Sequence, residues 1–324
     1  MGRSHIRNVP AEASGGQSWG KHSAVPPGGF SLVRVPIAMI SELNRELYAA
    51  TTGVPLYHYT SLAGVKGIID TGLLRATEIT YLNDSTEMAH TVSQLDPETW
   101  FREGFGKLES KLFVQFREWI SHRLTAGHKL YVGCFTANGN LLSQWRSYCP
   151  PTRGVNLGFN GAKLTASACD QGWKLGKCIY EQDKKEEIAI EVLNEIEDLA
   201  ERKGAKAGSF QHIFEELETH LLEIAALLKH PAFHEEQEWR IVSPVITNYV
   251  EADIEYREGA SMLIPFMKFG LPHAPDRRVD LEHVYLGPTP NSNISMESLS
   301  NYLSKFGASP RNGVQYSNVP YRTW

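Results

Sequence analysis

The chain contains no CxxC pair, no HExxH, no GxxxxGK[ST] phosphate loop and no GxGxxG. These absences remove the zinc modules, the zinc peptidases and the common nucleotide-binding folds, whose chemistry depends on those spacings. No apolar run approaches the ~20 residues that a membrane helix needs, so no membrane partner is expected. Basic residues are not in excess either: 32 Lys+Arg stand against 37 Asp+Glu, a formal net charge of -5. Any contact with nucleic acid must therefore come from a local patch. The cysteines are only four, Cys134, Cys149, Cys169 and Cys178, and no secretory signal precedes them. A reduced, cytoplasmic protein is the expectation. His230 and His234 are separated by Pro231 and read as non-metal, so no metal is expected.

What is present is an ordinary globular composition, 42 % apolar and 21 % charged, in 324 residues. That length suits one α+β core with insertions, or two domains. Residues 1–36 have two Gly-Gly pairs and little periodic apolar content. They read as a disordered lead-in, with an expression or start-site artefact as one origin, and 37–324 as a single domain.

The chain is organised around Pro55 to Glu87. Leu56-Tyr57-His58-Tyr59 predicts a strand with His58 at its end. Ser61 is placed to cap a helix whose Leu62, Val65, Ile68 and Ile69 recur at helical spacing, and Gly72 is placed to end it. A second short strand and an Asn83-Asp84-Ser85 turn follow, with Glu87 entering a helix. Strand-to-helix joints set side chains beside free helix N-terminal amides, which favours polar ligand groups. The structural alternative is a histidine that only packs at a strand end.

Further along, Trp100, Leu108, Leu112, Phe116 and Trp119 predict an amphipathic helix to about His122. Strands are expected at 130–136, 154–159, 173–180, 260–266 and 281–287, and a helix at 292–306. Asp183–Arg202 and Ser209–Lys229 read as an inserted helical hairpin at about 183–229, its Glu-rich face solvated. Helices grouped in runs among strands argue for α+β rather than a doubly wound sheet.

Two stretches concentrate chemistry. Ser143-Gln144-Trp145-Arg146-Ser147-Tyr148 offers hydrogen-bond donors, an aromatic surface and a cation, although Trp145 could equally fill the core with Arg146 on the surface. If Glu236 onward is extended, Glu236, Glu238 and Arg240 share one face while Trp239 and Ile241 anchor the other. Arg240 could then keep Glu238 ionised. The plainer alternative is an edge strand with an exposed ion pair, which contributes little.

The ordered series YHYTS, YLND, CFT with LLSQWRSY, KHPAF with EEQEWR, and VYLGP resembles an uncharacterised bacterial family, known only as a domain of unknown function, over roughly residues 55–290. More distantly, the opening strand-His-Thr-helix-Gly-Leu motif is similar to that of ADP-ribosyltransferases, including DNA-modifying toxins. The Glu236-x-Glu238 pair is similar to the catalytic end of many such enzymes. The resemblance implies a split antiparallel β core with flanking helices and NAD as substrate. Breaking the nicotinamide–ribose bond develops positive charge on the sugar, which a fixed carboxylate stabilises. It assigns that part to Glu238, the acceptor-activating part to Glu236, and the positioning of NAD to His58 with Tyr59 and Thr60 nearby. Tyr81, Trp145 and Tyr148 are candidates to stack on nicotinamide, Asn83, Ser143 and Gln144 to add polar contacts, and Arg146 or Arg240 to meet the pyrophosphate. Three readings follow. One is a transferase modifying a protein or nucleic acid in bacterial conflict or phage defence, one an NAD glycohydrolase, and one a non-catalytic nucleotide- or nucleic-acid-binding module.

Overall fold

A computed structural model describes residues 40–50, 52–82, 107–205, 209–276 and 278–319, with the side chains of 107–110 and 124–126 excepted. The expected lead-in at 1–36, the Asn83-Asp84-Ser85 turn and Trp100 lie outside the described residues.

The opening joint forms as its residue types dictate. β1 (Pro55–Ser61) runs directly into α2 (Leu62–Thr71), after a first helix, α1 (Ile40–Leu47). Ser61 Oγ accepts the Gly64 N–H at 3.0 Å, and Gly72 takes the left-handed conformation at φ 73°, releasing the chain into β2 (Leu73–Glu78). α3 (Lys107–Ala126) leads to β3 (Tyr131–Thr136). The polar stretch after it folds as a short helix, α4 (Leu142–Tyr148), ahead of β4 (Gly154–Asn160). Then come α5 (Gly161–Asp170), β5 (Lys174–Lys177), α6 (Gln182–Arg202), α7 (Gln211–Ala225) and β6 (Glu238–Val242). β7 (Glu255–Glu258), β8 (Leu263–Gly270), β9 (Leu281–Leu286), α8 (Ser292–Lys305) and β10 (Val314–Tyr316) complete the mixed α+β fold. α5, β7 and β10 have no counterpart in the sequence reading, and the strand expected over 173–180 is shorter.

Among the described residues ten strands form one sheet, antiparallel except where β10 meets β9. β3 forks it. Thr136 pairs with Glu238 of β6 and with Tyr57 of β1, so those two strands lie on opposite edges of β3. Val132 pairs with Val242 of β6 and with Thr77 of β2, which puts β2 on the same edge as β1. β1 continues outward through β4 and β9, and β2 through β8 and β7. The two wings thus part along one side of β3.

Each face of the sheet carries a core. Leu56, Phe135, Trp239, Ile241 and Phe269 pack with Val65, Ile69, Leu164, Leu299 and Leu303 from α2, α5 and α8. Val132 and Val242 pack on the other face with Phe116, Ile188, Val192, Ile196, Phe214 and Leu221 from α3, α6 and α7. The hairpin at about 183–229 therefore supplies one of the two cores. Its Glu-rich face is not wholly solvated: Glu195 is buried and accepts from Arg202 at 2.8 Å. No helix among the described residues is long and apolar enough to cross a membrane.

Candidate functional site

A narrow cavity of about 50 Å³ opens where β1 parts from β3. Tyr57, His58 and Tyr59 of β1, Cys134, Phe135 and Thr136 of β3, Gln144 and Tyr148 of α4, and the two carboxylates Glu236 and Glu238 line it. The fork explains the place, because strand pairing stops there and side chains fill the gap.

His58 is the first of these. Its Nδ1 lies 2.9 Å from the Cys134 carbonyl oxygen, spanning the parting strands. A carbonyl only accepts, so Nδ1 carries the proton and Nε2 is left as an acceptor. Burial pushes the imidazole below its usual pKa, against the smaller upward pull of that hydrogen bond, and the ring is neutral near pH 7.

The carboxylates arrive differently from the expected alternation. Glu236 is not in the strand: it ends a 3-10 turn, Pro231–Glu236, and Gln237 then adopts a left-handed conformation at φ 43° before β6 begins at Glu238. The kink nevertheless leaves both carboxylates on one cation, Lys229, whose Nζ sits 2.8 Å from Glu236 Oε2 and also donates to Glu238 Oε2. Glu238 and Arg240 do share a face, as the period of two requires. Arg240 Nε donates to Glu238 Oε1 at 2.9 Å and its Nη2 to Oε2 at 3.3 Å. The pair is not an exposed edge contact, since every residue of β6 is buried and the strand lies between β3 and β5.

The environment separates the two acids. Burial raises the Glu238 pKa, but Arg240 and Lys229, with a hydrogen bond from the Cys134 thiol, more than reverse this and hold it well below the usual carboxylate range. Its backbone N–H also donates to Tyr180 Oη at 2.9 Å. Glu236 goes the other way, raised by burial with Lys229 pulling back. Tyr148 Oη donates to Glu236 Oε1 at 3.2 Å across the mouth. Two adjacent carboxyls with opposite shifts are the pattern of acid–base division.

Other expected residues sit elsewhere. Trp145 is 2 % exposed, edge-on to Tyr59 at 4.7 Å, and donates from Nε1 to Asn140 at 3.0 Å; it fills the core and offers no stacking surface. Arg240 is 1 % exposed and also donates to the Ala226 carbonyl, so it lies beneath the cavity rather than where a pyrophosphate could reach it. Arg146 is exposed on α4, and Tyr81 follows β2; neither lines the cavity. Thr60 uses its carbonyl to accept the Cys149 thiol, and Ser143 Oγ is buried without a hydrogen-bond partner. Asn83 lies outside the described residues. Tyr59 lines the cavity, its hydroxyl fastening the following loop by donating to the Asn138 carbonyl at 3.1 Å and accepting the Leu141 N–H at 2.8 Å.

Lys229, Cys134 and Tyr180 join the site without a role assigned to them in the sequence. Lys229 carried one signal, a lone cation ending the apolar run Ile224-Ala225-Ala226-Leu227-Leu228. Among the described residues no cluster of three His, Cys, Asp or Glu could hold a metal ion.

A family described as a protein of unknown function (DUF2971) matches residues 144–241. That segment holds Gln144, Tyr148, Lys229, Glu236, Glu238 and Arg240, and supports an uncharacterised domain family; it does not reach β1 and His58. Comparison with curated proteins and with solved structures finds no match.

Proposed function

We propose that the chain is an NAD-dependent ADP-ribosyltransferase whose nicotinamide–ribose end enters the cavity at the sheet fork. The observation that carries this reading is the meeting of His58 with Glu236 and Glu238 in one cavity, although 178 to 180 positions separate them in sequence. The forked antiparallel sheet suits the split core of that class. The cavity is about 50 Å³ with Tyr148 bonded to Glu236 across its mouth, so the reading requires that this contact be released for one end of the dinucleotide to enter.

In the reaction the C1′–N bond breaks, its electron pair leaves with nicotinamide, and positive charge develops on the ribose. Glu238, ionised and held rigidly, faces that charge. Its Cys134 contact is the weakest of its hydrogen bonds and is the one a ribose hydroxyl replaces. His58 Nε2 accepts from a second ribose hydroxyl. The acceptor attacks C1′ and its proton passes to Glu236. Of the three aromatic candidates only Tyr148 lines the cavity, so it is the residue assigned to nicotinamide. The acceptor is a macromolecule, protein or nucleic acid, and an effector role in bacterial conflict or phage defence fits such chemistry.

The test is incubation with NAD labelled in its adenylate phosphate, with and without cell lysate. Acid-insoluble label that requires lysate supports the transferase. Free ADP-ribose from protein and NAD alone would make it a glycohydrolase, and intact NAD in both arms would leave a binding module.

A further inference from the structure

Glu236 and Glu238 pose a problem that the fold has to solve. Two carboxyls sharing a dehydrated cavity resist ionising together, because each charge raises the cost of the other. Arg240 holds Glu238: the guanidinium touches both of its oxygens, at 2.9 and 3.3 Å. Glu236 is held, among the described residues, by Lys229 and by the Tyr148 hydroxyl. The groups facing it are Lys229, the Tyr148 hydroxyl and Glu238 itself; those facing Glu238 are Arg240, Lys229 and the Cys134 thiol.

We propose that Lys229 is the positioning residue that lets Glu236 serve as a carboxylate base beside Glu238, by fastening Oε2 and turning Oε1 to the cavity mouth. The inference rests on the use of Glu236 proposed above. Three features make Lys229 fit for it. Its side chain is 3 % exposed, so its charge is little screened by water. It is fixed at its root, because its N–H donates to the Ile179 carbonyl at 3.0 Å and its carbonyl accepts Lys185 Nζ at 2.6 Å. It also holds Glu236 by Oε2, while Oε1 accepts from Tyr148 Oη, which now occupies the place where an acceptor hydroxyl would bind.

A purely structural lysine would hold the turn in place and nothing more. The distinction is read by titrating 13C-labelled glutamate in wild type and Lys229→Met by NMR, alongside the pH profile of nicotinamide release, with circular dichroism verifying the fold. In the variant the Glu236 signal is expected to titrate higher by about one pH unit or more. Release near neutral pH falls by up to about tenfold for each unit of that shift, chiefly in kcat, and recovers as the pH is raised. Lys229→Arg, which keeps the charge, is expected to restore the Glu236 titration toward wild type and part of the lost release. If Lys229→Met does not fold, Lys229→Gln carries the same comparison. A folded variant whose titration and pH profile superimpose on wild type would overturn the assignment. Should wild type release no nicotinamide, the NAD reading fails on its own, and a shifted Glu236 titration still supports the coupling to Lys229.

Discussion

The imidazole of His58 and the carbonyl of Cys134 meet at 2.9 Å across the gap where β1 leaves β3, closing with a side chain the ladder that the backbone no longer continues. This contact fixes the tautomer and leaves Nε2 as an acceptor.

A pH dependence follows from the same burial. His58 titrates below its unfolded value, so at high pH both states are neutral and the residue adds no slope. As pH falls through about 6.5, the unfolded chain takes up a proton that the folded one resists, and stability declines until the folded value is reached. Urea midpoints at pH 7.5 and 5.5 should fall more for wild type than for His58→Gln. Equal losses in the two proteins would contradict a buried neutral ring.

Glu238 behaves in the opposite sense. Its folded pKa is depressed by Arg240 and Lys229, so its contribution is complete above the unfolded value of about 4.3 and is lost as pH falls through the folded one. Glu238→Gln leaves buried cations undercompensated and is expected to cost about 3–5 kcal/mol at neutral pH, with a flatter acid limb. Denaturant unfolding between pH 2.5 and 7 measures both.

Trp145 belongs to the scaffold, and its neighbours give the test. A Cβ on Gly287 would stand 2.8 Å from Trp145 Cζ3 and 3.0 Å from the Gly154 carbonyl. Gly287→Ala is expected to destabilise by about 1–3 kcal/mol, and Trp145→Ala by about 3–5 kcal/mol. Unfolding midpoints that do not move would mean that the ring is not held there.

Cys134 marks the position on Glu238 assigned to a ribose hydroxyl. Cys134→Ser puts a stronger donor there and should raise KM for NAD about five-fold, the equivalent of roughly 1 kcal/mol, with little change in kcat. An unchanged KM would place the ribose elsewhere.

The parts of the fold set by local chemistry were legible in the sequence. Ser61 and Gly72 bound α2 because a hydroxyl N-cap and a glycine C-cap satisfy the helix ends, and β1 and β3 follow from their apolar runs. The fork was not legible, because it depends on β1, β2 and β6 competing for the edges of β3 from distant parts of the chain. At the site, His58, Glu236 and Glu238 could be singled out by residue type and motif, but their convergence on one cavity could not be read from the sequence, and the path was misjudged: the left-handed Gln237 breaks an alternation that nothing in its side chain announces. Trp145 and Arg240 illustrate the remaining ambiguity. Polar and aromatic residue types serve cores and ligands alike, and only burial separates the two uses.

The most direct test of the account is nicotinamide release from NAD by the purified protein supplied with cell lysate as the source of acceptor, comparing wild type with Glu238→Gln and with Glu238→Asp, which keeps the charge but draws the carboxylate back. Circular dichroism verifies the fold of each. The account predicts release by wild type and a loss of about 10²-fold or more in both folded variants. Release that persists unchanged when Glu238 is replaced, or none from wild type with or without lysate, would contradict it.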